Sequence, residues 1–326
     1  MVDIQADLRS DPPWASSALP APENTHDNEV MSEQDLPALP CYLNGELSNL
    51  REARVSVMDR GFIFGDGVYE VVPVYAGRPF RFAQHMERLG RSLAALRIEN
   101  PMSGQAWRAL VERMIAAYAQ SQDKSAQEID QLVYLQVTRG VALRDHAMPT
   151  GITPTVFATS WRLTPPSAAD RANGVACVSA DDFRWEKAHI KSISLAGSVL
   201  ARQLSADAGA AETVMFRDGF LSEGAAANVW LVKDGAVLGP PKDNLVLEGI
   251  RYGLIEELCR DAHIGFALRP IARAEVIMAD ELLLSNASKE ILAVSRLDGQ
   301  PIGTGSPGPI YRKLYAGYQR AKQSSS

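Results

Sequence analysis

The sequence predicts a mixed α/β (α+β) protein of two domains, and three observations predict it. Strand-period and helix-period stretches follow one another along most of the chain. At 326 residues the chain exceeds one ordinary core, since domains usually run to about 100–200 residues. Between two such series lies "RLTPPSAADRANG", residues 162–174, where Pro165-Pro166 denies regular pairing and small polar residues follow. The chain therefore divides into a smaller α/β domain over residues 40–161, a linker over 162–174 and a larger α/β domain over 175–326. Residues 1–39 are rich in proline, acid and serine, lack the apolar surface to offset chain entropy, and are expected to form a disordered tail.

Each element follows from local pattern. "CYLNGEL" carries Asn44-Gly45, a hairpin turn between short extended pieces. "DRGFIFGDGVYEVVPVYAG" reads as a tight glycine turn feeding a strand. "HMERLGRSLAALRI" places Met86, Leu89, Leu93 and Leu96 at helical spacing, with Glu87, Arg88 and Arg91 mostly elsewhere around the cylinder. A second helix follows the N-cap Ser103, with Trp107, Leu110, Val111, Met114, Ile115 and Tyr118 repeating at three and four. "QLVYLQVTRG" alternates as a half-buried strand does, and "TPTVFATSW" is another.

Beyond the linker, residues 175–179 read as a strand. A helix follows Lys191, with Leu195, Val199, Leu200 and Leu204 roughly on one face. Residues 212–216 form a strand, and "NVWLVKDG" another that ends in an Asp-Gly turn. Ile250, Leu254, Ile255, Leu258 and Cys259 mark a helix opening after Gly249. A hairpin, "ELLLSNASKEILAV", and a final helix around Ile310, Leu314 and Tyr318 complete the chain.

Composition narrows the function. Hydrophobic residues make up 46% and charged residues 22%, as in globular proteins, and a net charge of −6 with interspersed signs gives no attraction for nucleic acid or an anionic membrane. No apolar run approaches the ~18 residues of a membrane span. The start, "MVDIQADLRSDPPW", has acids where a secretory signal has a basic segment and an apolar stretch. Three separated cysteines form neither a zinc spacing nor a disulfide framework, which favours a reducing, cytoplasmic setting. None of the five histidines falls in a metal-ligand spacing, so no metal is expected. There is no GxSxG nucleophile.

Four features could carry chemistry. Gly65-Asp66-Gly67 fails the dinucleotide fingerprint, because Glu70 stands where the third glycine belongs and a strand follows; a tight turn, or a close approach of ligand or backbone, remains. Lys191 is either a solvated helix-start lysine or, in a pocket, a neutral amine able to attack a carbonyl. Glu223 in "FLSEGAAANVWLV" is either a solvated turn residue between two strands or the charge partner of a heterocyclic cation. In "RGVALRDHAMP", Arg144 and His146 bracket Asp145 in a loop, which is either merely polar or a cationic clamp for a carboxylate.

Taken in order, "DRGFIFGDGVYE", "HMERL", "VTRGVALRDHAMP", "HIKSISLAGSVLARQ", "SEGAAANVWLVKDG" and "LEGI" resemble the class IV (fold type IV) pyridoxal-phosphate aminotransferases, closest to their D-amino acid branch. The resemblance covers the chain from about Cys41 onward. It implies a homodimer of two-domain subunits with pyridoxal 5′-phosphate in the interdomain cleft. It implies that Lys191 binds the cofactor covalently and then acts as the base, that Glu223 pairs with the pyridine nitrogen, and that Arg88 and the Gly249-Ile250 turn hold the phosphate. Tyr69 would lie near cofactor and substrate carboxylate, with Glu70 facing the other way. Arg144 and His146 together with Tyr69 would bind that carboxylate and select the D-enantiomer.

The pattern departs from the family at Ala225-Ala226-Ala227, where serines are usual. Arg251 replaces a threonine, and Asn286-Ala287-Ser288 stands in for a serine/threonine cluster; Arg251 and Ser288 keep their places as cofactor contacts. The implied activity is ping-pong transfer of the amino group of D-alanine or a similar D-amino acid to 2-oxoglutarate. The rivals are a branched-chain L-aminotransferase or aminodeoxychorismate lyase of the same class and, outside it, a non-catalytic phosphate-ligand binding module.

Overall fold

Asn44 and Gly45 take φ of 49° and 108°, the left-handed conformations that a two-residue hairpin turn needs. They join β1 (Pro40–Leu43) to β2 (Glu46–Asn49) in antiparallel register. The structure is a computed structural model that describes residues 36–324, so the tail expected over residues 1–39 lies almost wholly outside the described residues.

The hairpin opens a six-stranded antiparallel sheet of order β2-β1-β6-β5-β3-β4, with β3 (Gly67–Tyr75), β4 (Arg78–Pro79), β5 (Gln131–Thr138) and β6 (Thr155–Arg162). Two helices, α2 (Phe82–Ala95) and α3 (Gly104–Ser121), cover one face. Alternation sends Val133, Leu135 and Val137 into that layer against Leu89, Leu93, Trp107 and Met114, all essentially without solvent contact. Each such side chain contributes about 1.5–3 kcal/mol by leaving water. Ser103 caps α3 as its position suggests, accepting from the Ala106 N–H at 3.2 Å.

Before β3 the glycine turn contains a short helix, α1 (Arg60–Phe64), capped by Asp59 and closed by Gly65 at φ 66°. Arg88 departs from the expected polar side of α2. It is buried, because Glu70, fully buried on β3, accepts from its Nε at 2.7 Å and its Nη2 at 2.8 Å.

The segment expected to be a plain linker holds α4 (Ala168–Asn173), started by a reciprocal Ser167–Asp170 capping box. Arg171 of α4 reaches the buried carboxylate of Glu290, which also receives Lys322 and the Tyr75 hydroxyl. That carboxylate ties both sheets and the connection between them.

The second sheet has nine strands: β7 (Val175–Asp181), β8 (Glu212–Arg217), β9 (Phe220–Gly224), β10 (Asn228–Lys233), β11 (Ala236–Gly239), β12 (Gly265–Leu268), β13 (Glu281–Asn286), β14 (Glu290–Leu297) and β15 (Gln300–Pro301). Their order is β12-β11-β10-β13-β14-β7-β8-β9, with β15 beside β14. The helices here are α5 (Ala196–Asp207), α6 (Arg251–Asp261), α7 (Arg273–Ile277) and α8 (Pro309–Ser324). A shared core joins the two sheets, packing Tyr75, Phe80 and Leu132 from the first against Trp230, Tyr252, Ile255 and Tyr318 from the second.

Two expectations differ from what is observed here. Glu223 lies inside β9 and not in a turn, since Leu221 pairs with Phe216 and Gly224 with Val214. The apolar face expected of α5 is not buried: Val199 and Leu200 are 63% and 62% exposed, and only Ala201 and Ser205 of that helix are fully covered. Helical spacing shows that residues share a face but cannot say what covers it.

Candidate active site

Gly65 and Gly67 explain the turn that opens β3. A Cβ on Gly67 would stand 2.6 Å from the Val137 carbonyl oxygen and 2.9 Å from Ile193 Cδ1, and one on Gly65 would meet Ser194. Their bareness lets residues 191–193 lie against the strand: Tyr69 N–H donates to the Lys191 carbonyl and Ile193 N–H to the Gly67 carbonyl, both at 3.0 Å. The Lys191 N–H donates to Ser92 Oγ on α2 at 3.2 Å. Thus the backbone of Lys191 is clamped between two elements of the first sheet layer, and its Nζ stands 4.0 Å from the Tyr69 ring centre.

Lys191 and Tyr69 line a cleft of about 1070 Å³ between the two sheets, shared with Arg88, Glu223, Ile250, Arg251 and Ser288. Seven of the nine expected residues therefore come together. The other two, Arg144 and His146, sit on an exposed loop outside this cleft, both against Phe64, with the guanidinium carbon 5.3 Å from that ring and the imidazole 5.4 Å away.

Glu223 is buried and fully engaged. Its Oε1 accepts from Arg184 Nη1 at 2.7 Å, and its Oε2 from Asn228 Nδ2 at 3.0 Å and the Leu247 N–H at 3.2 Å. Burial pushes its carboxyl up to about 7, against the opposing pull of Arg184. Arg184, which sequence reasoning missed, also grips Asp182 through two nitrogens. Its only signal is its place in "DDFRWEKAHIK", beside acids and seven residues ahead of the lysine.

The part of the cleft at the start of α6 suits an anion. The N–H groups of Ile250 and Arg251, at the start of α6, find no acceptor among the described residues. Arg88 is oriented beside them by Glu70, with its Nη1 3.3 Å from the Glu248 carbonyl. A Cβ on Gly249 would collide with the Asn228 carboxamide oxygen, so the approach to α6 must be bare. The Arg251 guanidinium is buried in the core, where its Nη2 donates to the Tyr318 hydroxyl at 3.1 Å. Ser288 lines the wall with its hydroxyl turned to Asn286 Oδ1 at 3.3 Å. His85, one turn before Arg88, was also missed, although an i, i+3 pair of polar residues on a half-apolar helix is a visible signal.

An amine, a buried carboxylate and an anion site around one cleft between two α/β layers define a class of enzymes that handle amines with an anionic, heterocyclic cofactor. The amino-transferase class IV family profile matches residues 67–297, and the chain belongs to that family. Class IV aminotransferases are pyridoxal phosphate enzymes. Among curated proteins the chain is similar to the D-alanine aminotransferase of Bacillus licheniformis, at 34% identity over 282 residues, covering 85% of this chain and 95% of that one. The D-alanine aminotransferase of Staphylococcus aureus (strain MSSA476) is 35% identical over 286 residues, with 87% and 98% covered. Among solved structures, the branched-chain aminotransferase of Thermoproteus uzoniensis superposes with a TM-score of 0.79 at 22% identity, covering 89% of this chain and 97% of that one. The Escherichia coli branched-chain enzyme gives 0.75 at 22%, covering 86% and 92%. At that identity these two structures share the fold.

Proposed function

We propose that the chain is a ping-pong D-amino acid aminotransferase that takes the amino group of D-alanine or a similar small D-amino acid and passes it to 2-oxoglutarate. The observation that carries the reaction is that Lys191 and buried Glu223 line one cleft, which also offers Arg88 and free helix-start N–H groups to an anion. The D-alanine aminotransferases matched along nearly their whole length support the substrate class.

Pyridoxal phosphate, when bound, supplies an aldehyde for the amino group and a conjugated ring that accepts the electron pair left at Cα. Arg88 and the backbone N–H groups of Ile250 and Arg251 would hold its phosphate, with Ser288 beside them. Glu223 would accept from the pyridine N–H, held in place by Arg184 and Asn228. Lys191 would bond to the cofactor at rest and, once displaced by substrate, take the proton from Cα.

Tyr69 lies beside the lysine and would meet the substrate carboxylate. Arg144 and His146 can join it only from a second copy of the chain, because both stand outside this chain's cleft. A homodimer accounts for that, and for the exposed apolar face of α5 that borders the same cleft through Leu195 and Val199. The two sheets would then belong to domains of residues 40–161 and 175–326 connected by residues 162–174. No described helix is long and apolar enough to cross a membrane, and three buried free thiols, Cys41, Cys177 and Cys259, support a reducing, cytoplasmic setting.

A half-reaction assay tests the reading. Purified protein is expected to be yellow and to lose that absorbance with D-alanine far faster than with L-alanine or L-leucine. Borohydride should fix the label on Lys191, and Lys191→Ala should lower turnover by about 10²–10⁴-fold. Faster reaction with L-leucine, or pyruvate release from aminodeoxychorismate, would instead favour the rivals within the family. A colourless protein that binds phosphate ligands without Lys191 would favour a binding module.

A further inference from the structure

His85 lines the anion end of the cleft, yet the roles derived so far leave it unused. Its side chain is fully buried. Its Nδ1 lies 2.7 Å from Glu70 Oε2, and its Nε2 is buried with no hydrogen-bond partner among the described residues. Arg88 holds the Glu70 carboxyl well below the usual carboxylate range in spite of burial, so Glu70 is ionised and can only accept. The proton must then sit on Nδ1, and the neutral ring turns a bare lone pair on Nε2 toward the cleft wall. A buried lone pair without a donor is costly to keep, which points to a partner that arrives.

The charged groups facing the ring are Glu70 from β3, Arg88 from its own helix and Arg251 from α6. With no anion present, burial and the two guanidinium groups push the imidazole down to about 4 despite Glu70. A bound phosphate changes that balance by placing negative charge on both sides of the ring.

We propose that His85 is a positioning residue of the phosphate site, which becomes doubly protonated on cofactor binding and donates Nε2–H to a phosphate oxygen while Nδ1–H stays on Glu70. This rests on the cofactor reading above. A phosphate monoester monoanion brings the proton itself, its O–H bond breaking as Nε2–H forms; with the dianion, predominant at pH 8 because its second pKa is about 6, His85 Nε2 takes the proton from solvent. No electrons are exchanged. The site of this chain thus reads the charge of the phosphate through a Glu70–His85 relay, in addition to gripping it through Arg88.

Titration calorimetry of the cofactor-free enzyme with pyridoxamine 5′-phosphate, in two buffers of different ionisation enthalpy, counts protons taken up. At pH 8 the wild type should take up about one proton more per site than His85→Asn, which keeps an amide N–H for Glu70 and deletes Nε2. The variant should also bind about tenfold more weakly. Equal proton counts with tight binding in both proteins would overturn the role of His85 and leave the cofactor reading standing, whereas no binding by the wild type would overturn both. Should the variant fail to fold, ¹⁵N-histidine spectra of the wild-type holoenzyme decide. Both His85 nitrogens protonated at pH 8 is the expected result, and a neutral ring overturns the proposal.

Discussion

Arg184 Nη1 lies 2.7 Å from Glu223 Oε1, while the same guanidinium holds Asp182 through Nε and Nη2 at 2.9 Å each. One buried cation therefore serves two buried carboxylates. Asp182 has a second partner in Arg217 at 3.3 Å, but Glu223 has no other cation within salt-bridge distance among the described residues.

Replacing that cation should cost more at high pH. In the cofactor-free protein, Arg184→Met is expected to lose up to about 3–5 kcal/mol at pH 8, where the wild type ionises Glu223 and the variant must either bury that charge unpaired or take up a proton to hold it neutral. At pH 5, where Glu223 is protonated, the loss should be smaller. Urea denaturation at both pH values checks this, with Glu223→Gln added to the same chain recovering most of the pH 8 loss. An equal cost at both pH values would refute the coupling.

Two buried groups should oppose each other in the pH dependence of stability. Glu223 is raised from 4.5 to about 7, so its contribution is present below pH 4.5 and lost as pH rises through 7. His85 is lowered from 6.5 to about 4, so its contribution is present above pH 6.5 and lost as pH falls through 4. Each amounts to roughly 3 kcal/mol and they largely cancel between pH 4.5 and 6.5. In that window, cofactor-free Glu223→Gln should become more stable as pH rises, relative to the wild type, and His85→Asn less stable. Unfolding midpoints measured along the window give the two slopes, and slopes of the same sign would contradict the assignment.

Gly67→Ala should damage the fold and the site together. The new methyl would press on the Val137 carbonyl and on Ile193, forcing the Lys191 segment off β3 at a cost of about 1–3 kcal/mol. Denaturant unfolding reads the loss of stability. Half-reaction rates should fall by more than that stability loss explains, since Lys191 hangs from the displaced backbone. An unaltered rate would show that this pairing does not position the lysine.

The exposed face of α5 should be an interface between copies. Leu200→Asp combined with Val199→Asp is expected to yield a folded monomer in analytical ultracentrifugation, because a charged pair cannot be buried there without partners. D-alanine turnover should fall with it, since Arg144 and His146 would no longer reach a cleft. A fully active dimer would place the interface elsewhere.

The sequence by itself determined what depends on near neighbours: the Asn44-Gly45 hairpin, the cap at Ser103, the buried stripe of α3 and the alternation of β5 are local signals, and each stands where its spacing puts it. The order of the motifs likewise identified Lys191, Glu223, Tyr69 and Arg88 as residues of one cleft. Tertiary packing decided what depends on distant ones. Spacing set Arg88 mostly off the apolar face of its helix, yet Glu70, eighteen residues earlier, holds it buried, and spacing put Val199 and Leu200 on one face of α5 without showing that this face stays exposed among the described residues. Motif order puts Arg251 at the turn that opens α6, but that its guanidinium bonds the Tyr318 hydroxyl is visible only in the packed core. Periodicity records which side chains share a face, because backbone geometry repeats every few residues. Which charge meets which, and which face stays bare, is settled only when segments far apart in the chain are brought into contact and lose their water.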